Sequence, residues 1–186
     1  MNTSIKTPSG DRTRSFSSAD ELEGLFAPER VLGLWADEER AMLPGDYGAF
    51  SCCTNGARFV VDRVGGIVVG FSEGTNPTAH PEFLDGHDFA IVRGRYIVDL
   101  WAKAYPEVNK RVVLDLLNPG VLREDLPKYG DLSAWQVLRR AERPEISSRF
   151  VDPGKWRRFT LRDLAPEVRG WVLHTKCPRG HAGHER

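Results

Sequence analysis

The sequence is poor in cysteine and has no long apolar run. Three cysteines occur among 186 residues, and two of them, Cys52 and Cys53, are adjacent. Such a set does not form a disulfide framework, which favours a reducing compartment. No stretch approaches the roughly 20 apolar residues that cross a bilayer, so we expect no membrane partner. These absences favour a protein of the cytoplasm, or one exported by a specialised secretion system into a host or target cell.

The sequence also has no net charge. The 26 basic and 26 acidic side chains balance to a formal charge of zero. Nucleic acids and anionic membranes both favour a cationic face, so we do not expect nucleic acid as a partner. Hydrophobic residues make up 40% of the chain, which is enough to fill one well-packed core.

The two ends of the chain differ in composition from its middle. Residues 1–17 are polar and lack the apolar stretch of a secretory signal peptide, so we expect a disordered N-terminal tail. Residues 176–186 form a polar C-terminal tail, and residues 18–175 form a single domain. The tail contains Cys177, His181 and His184, but three ligands without a fourth do not make a structural zinc site, so we expect no metal.

Hydrophobic periodicity and turn residues predict the secondary structure. We expect helices over residues 20–26, 29–42, 53–64, 107–117, 132–140 and 166–173, and strands over residues 67–71, 87–92, 95–101 and 158–162. Residues 72–85 are expected to form a loop. Helices precede and follow a run of strands, and this order indicates an α+β fold rather than alternating βαβ units.

Three residues on these elements have the chemistry of a thiol nucleophile, its base and an orienting acid. Cys53 lies where the third predicted helix begins, and the free N–H groups of a helix N-terminus favour a thiolate. His87 opens one strand and Asp99 lies in the next. A nearby imidazole can take the thiol proton and later protonate a leaving group, while a carboxylate holds the imidazole in orientation.

The length of the connection between the two strands decides whether His87 and Asp99 can meet. A three-residue turn at residues 93–95 places Phe89 opposite Asp99 and makes His87 its diagonal neighbour on the same face. A two-residue turn would send Asp99 to the other face. The interpretation therefore predicts a three-residue connection or a bulge, with Gly94 at positive φ.

These residues carry a resemblance to a known superfamily. Cys53 with Ala57 four residues later, then a helix, a glycine, a buried strand, Gly86-His87 and Ile97-Val98-Asp99, resembles the core of the papain-like and transglutaminase-like cysteine enzymes. The likeness covers residues 47–103 and is closest to the toxin and deamidase branches. It implies a nucleophile helix packed on a small antiparallel sheet, a thioester intermediate, a protein or peptide substrate and no cofactor.

The sequence departs from that pattern at the oxyanion hole. Papain-type enzymes have a glutamine upstream of the nucleophile, whereas the one glutamine here, Gln136, lies far downstream. The oxyanion would then be held by the backbone N–H of Cys53 and a second donor, for which Asn55 is a candidate. Trp101 is a candidate to shield the Asp–His pair from water, and Cys52 is the alternative nucleophile.

Several functions are compatible with this pattern. The first is a protease or glutamine deamidase, in which water accepts the acyl group. The alternatives are a transglutaminase-like ligase, a small-molecule acyltransferase of the arylamine type, and a non-catalytic protein-binding module on the same fold.

Overall fold

The protein has a mixed α+β fold built on one six-stranded sheet. A computed structural model describes residues 15–26, 53–101, 108–138 and 156–176. The helices in these ranges are α1 (Ala19–Leu25), α2 (Cys53–Val64) and α3 (Pro166–Lys176). The strands are β1 (Ile67–Ser72), β2 (Gly86–Val92), β3 (Tyr96–Val98), β4 (Val113–Asp115), β5 (Gln136–Leu138) and β6 (Trp156–Arg158).

The strands are ordered β4-β3-β2-β1-β5-β6, and every neighbouring pair is antiparallel. The two central strands, β1 and β2, are largely buried on both faces. Alternate residues therefore enter two different core clusters. Phe89 and Ile91 enter the cluster that includes α3, whereas Ala90 and Val92 enter the cluster that includes α1 and α2.

Short helical turns fill the connections around the first of these clusters. A 3-10 turn at Pro81–Phe83 lies inside the predicted loop and places Phe83 in the core. Further turns occur at Val121–Asp125, Leu126–Tyr129, Leu132–Ala134 and Leu161–Asp163. These turns position Tyr129 and Trp135, both of which are fully buried.

Three predicted helices and the strands of the hairpin are confirmed, although β3 ends at Val98 and not at the predicted Trp101. Helix α1 begins after Ser18, whose side chain accepts a hydrogen bond from the Glu21 backbone and so caps the helix. Helices α2 and α3 and strands β1 and β2 lie where periodicity places them. Phe16, inside the predicted N-terminal tail, packs edge-on against Tyr96.

Three predicted elements are wrong in the described residues. Residues 108–117, predicted as helix, contain strand β4, because Val112, Val113 and Leu114 enter the core through pairing with β3. Residues 132–138, also predicted as helix, form a 3-10 turn and strand β5 beside β1. The strand predicted at 158–162 lies earlier, as β6. In each case tertiary pairing overrides local propensity. The helix predicted at 29–42 lies outside the described residues.

Candidate active site

The β2–β3 hairpin has the connection on which the site depends. Val92 pairs with Tyr96, which leaves three residues between the paired positions, as predicted. Gly94 has φ of 64°, and Arg93 also has a positive φ of 53°. The Arg93 guanidinium stacks on Phe16, 3.8 Å from the ring centroid, and donates to the Phe16 carbonyl. The register therefore places Asp99 on the same face as His87.

His87 and Asp99 form a buried pair. Nε2 of His87 lies 2.6 Å from Oδ2 of Asp99, and both side chains are 1% exposed. Asp99 lies just beyond the end of β3, where its backbone N–H donates to the Val112 carbonyl. A buried carboxylate requires a partner, and the imidazole supplies it.

Aromatic rings enclose the imidazole. Phe83 stacks on His87 with ring centroids 4.0 Å apart and an interplanar angle of 3°. Phe89 and Tyr129 lie 6.1 and 6.2 Å away, measured between ring centroids. Trp101, the residue predicted to shield the pair, packs against the cluster that includes α2. A dry site of this kind strengthens the attraction between imidazole and carboxylate.

The surroundings of His87 favour its charged form. Burial lowers its pKa, but the charge of Asp99, the hydrogen bond to Asp99 and the interaction with Cys53 outweigh burial and raise the pKa to about 10. His87 is thus held as an imidazolium at neutral pH. Since Nε2 is engaged by Asp99, Nδ1 is the ring nitrogen left for the thiol.

Cys53 is the first residue of α2 and is half-buried. The backbone N–H of Asp88 donates to its Sγ atom at 3.3 Å. A hydrogen bond between Cys53 and His87 is among the causes that raise the pKa of His87. The structure thus pairs His87 with Asp99 and places the Cys53 thiol on the backbone of Asp88, the residue that follows His87. Cys52 lies outside the described residues, as does the side chain of Asn55, whose backbone is in the first turn of α2.

Two further polar residues extend the site behind Asp99. The Tyr129 hydroxyl donates to Oδ2 of Asp99 at 2.8 Å and accepts from Nδ2 of Asn109, also at 2.8 Å. Both residues are buried. The Asn109 donation occupies the hydroxyl as an acceptor, so its single proton is directed at Asp99. Burial and the negative charge of Asp99 raise the pKa of Tyr129 well above its usual value, which keeps the hydroxyl protonated.

Sequence reasoning missed both residues. Tyr129 follows Asp99 by 30 positions and lies in a short turn whose local sequence resembles an ordinary connection. The only available signal was a general one, namely that a buried aspartate needs more than one donor.

Comparison with known proteins provides no family for this chain. No family model, no curated protein and no solved structure matches it. Within the described residues, no helix is long and apolar enough to cross a membrane, and no group of three metal-binding side chains is found. The cysteine and histidines of the C-terminal tail lie outside those residues. Functional inference therefore rests on the geometry of the site.

Proposed function

We propose that the protein is a cysteine-dependent hydrolase or acyl transferase that acts on amide bonds of a protein or peptide, on a papain-like core. The single observation that carries the proposal is the position of His87. Its imidazole is bound to Asp99, the next residue along the chain donates its backbone N–H to the Cys53 thiol, and the interaction with Cys53 contributes to the raised pKa of His87. Nucleophile, base and orienting acid in this order are the minimal requirements of thiol acyl transfer.

The chemistry follows from these contacts. In the resting pair the thiol proton of Cys53 lies on His87, and the thiolate attacks the amide carbon to give a tetrahedral oxyanion. The imidazolium then protonates the amide nitrogen, which leaves as an amine or as ammonia. Water, activated by the neutral imidazole, attacks the resulting thioester, and the thiol is released with a carboxylic acid. The raised pKa of His87 favours the thiolate–imidazolium pair at the start of this cycle.

A glutamine side chain and a peptide bond are both suitable acyl donors. Release of ammonia makes the protein a deamidase, and release of an amino terminus makes it a protease. Both reactions need a reduced thiol, so we place the enzyme in the cytoplasm of its own cell or, after export, in that of a target cell.

Site-resolved alkylation tests the proposal. Iodoacetamide at pH 7 should modify Cys53 faster than Cys52 and Cys177, as measured by mass spectrometry of digested peptides. His87→Gln should slow this reaction by about tenfold, since a thiol with the ordinary pKa of about 8.5 is only a few per cent ionised at pH 7. Asp99→Asn should slow it less. Equal reactivity of all three cysteines, unaffected by His87→Gln, would instead favour a non-catalytic binding module.

A further inference from the structure

Strand β2 extends beyond its neighbour β3, and this leaves an open edge. The last pair between the two strands is Ala90 with Val98. In this register Leu100 would lie opposite Asp88, but β3 has already ended. The Asp88 N–H donates instead to Cys53 Sγ, at 3.3 Å. The thiol thus takes the place that a strand carbonyl would occupy in a longer ladder.

The Asp88 side chain holds the helix that carries the thiol. Oδ2 of Asp88 accepts a hydrogen bond from the hydroxyl of Thr54, the second residue of α2. Asp88 therefore contacts two consecutive residues at the start of α2, one through its backbone and one through its side chain. Neither contact belongs to the acyl-transfer steps described above.

Gly70 provides the space for this carboxyl. It lies directly opposite Asp88 in the β1–β2 ladder. A Cβ atom on Gly70 would lie 1.8 Å from Oδ1 of Asp88 and 2.6 Å from the His87 carbonyl oxygen. Glycine weakens the interior of a strand, so its presence here reflects the close approach of these groups.

The carboxyl is held in place at an energetic cost. Burial raises the pKa of Asp88, and Asp99 adds to the effect, while the Thr54 hydrogen bond and the charges of His87 and Arg58 oppose it. An asparagine could accept the same hydrogen bond without the cost of burying a charge. A carboxyl kept under such conditions beside a nucleophile is a candidate functional group.

We propose that Asp88 is a positioning residue for Cys53, which fixes the thiol through its backbone N–H and fixes the first turn of α2 through its carboxylate on Thr54. The inference rests on the proposed function and adds a residue that acts on Cys53 through contacts separate from the His87–Asp99 hydrogen bond. We call these two contacts the Asp88 clamp. Loss of the clamp should leave the thiol less firmly positioned at the edge of β2.

The test compares Asp88→Asn and Thr54→Val with Thr54→Ser, which keeps the hydroxyl. The readouts are the rate of Cys53 alkylation by iodoacetamide at pH 7 and the melting temperature. Thr54→Val should slow alkylation about tenfold, as expected for loss of a hydrogen bond to a charged group, and Thr54→Ser should keep most of the rate. Asp88→Asn, whose amide oxygen can still accept from Thr54, should slow alkylation less than Thr54→Val. It should not lower the melting temperature, because it replaces a half-buried charge with a neutral amide.

Unchanged alkylation in both variants, or slowing that only follows a loss of stability, overturns the positioning role. Amide hydrogen exchange at Asp88 distinguishes failure of the positioning role from failure of the proposed function. If Cys53 of the wild-type protein is not activated, the enzyme proposal fails. The clamp is then supported by faster exchange of the Asp88 amide in Thr54→Val and Cys53→Ala, and it is overturned by unchanged exchange.

Discussion

Nε2 of His87 lies 2.6 Å from Oδ2 of Asp99 in a pocket closed to solvent. His87 lies on β2 and Asp99 directly follows β3, and they meet because the hairpin has three connecting residues. We assign the ring nitrogen that Asp99 does not engage, Nδ1, to the thiol of Cys53. The charge state and the geometry of the pair can both be tested.

The raised pKa of His87 predicts a pH-dependent stability. The folded-state value is about 10, against an ordinary value of 6.5. The stabilising contribution is therefore fully present below pH 6.5 and is lost as the pH rises towards 10, because the native state binds more protons than the unfolded state. In a Cys53→Ala background, where the imidazole cannot take its proton from the thiol, the free energy of unfolding should fall by up to about 1.4 kcal/mol per pH unit between pH 7 and 9.

Urea denaturation of Cys53→Ala and of the double variant Cys53→Ala/His87→Gln over this range measures the effect. The double variant has no imidazole at this position, so the difference between the two curves isolates His87. If the two plots of unfolding free energy against pH are parallel, His87 keeps its ordinary pKa in the folded protein.

Removal of the Tyr129 hydroxyl should lower both the stability of the protein and the reactivity of Cys53. In Tyr129→Phe, Asp99 loses one donor, and Nδ2 of Asn109 loses its acceptor. The expected loss of unfolding free energy is about 1–3 kcal/mol, as for other buried polar groups left without partners. Alkylation of Cys53 should slow as well, because the Asp99 carboxylate is less firmly oriented.

Tyr96→Phe is the matched control for this variant. Tyr96 is also buried, and its hydroxyl makes no hydrogen bond in the part of the chain that the structure describes. Its removal should leave both stability and alkylation near wild type. Equal effects of the two substitutions would argue against a special role for Tyr129.

The turn that aligns the pair should not tolerate a side chain at Gly94. The residue has φ of 64°, and a Cβ atom there would lie 2.4 Å from the backbone nitrogen of Ala165. We expect Gly94→Ala to lose more than about 2 kcal/mol of unfolding free energy, since left-handed strain and a backbone clash add together. Chemical denaturation measures the loss.

Gly170→Ala serves as the control, because Gly170 lies in α3 and a Cβ atom there meets nothing within 4 Å. That substitution should instead raise the stability by about 0.5–1 kcal/mol, since alanine is the better helix former. A tolerated Gly94→Ala would contradict the turn geometry on which the His87–Asp99 alignment depends.

The local sequence pattern was sufficient to predict those elements whose structure depends on neighbouring residues. The apolar spacing of α2 and the turn residue Gly94 indicated the helix and the hairpin, and the triad interpretation required the three-residue connection that the register has. The local pattern was insufficient for β4 and β5, which local propensity assigns to helices. Those strands exist because β3 and β1 present open edges that need partners, and such edges lie far away in the sequence.

The sequence by itself determined the hairpin and the types of side chain that face its core, because strand periodicity and turn length are local properties of the chain. Only the tertiary structure decided what surrounds them. The Phe83 ring on His87, the Tyr129–Asn109 contact behind Asp99 and the Asp88–Thr54 contact beside Cys53 each join elements that are distant in sequence. Such contacts depend on how the elements pack, and packing brings together residues whose proximity no local pattern records.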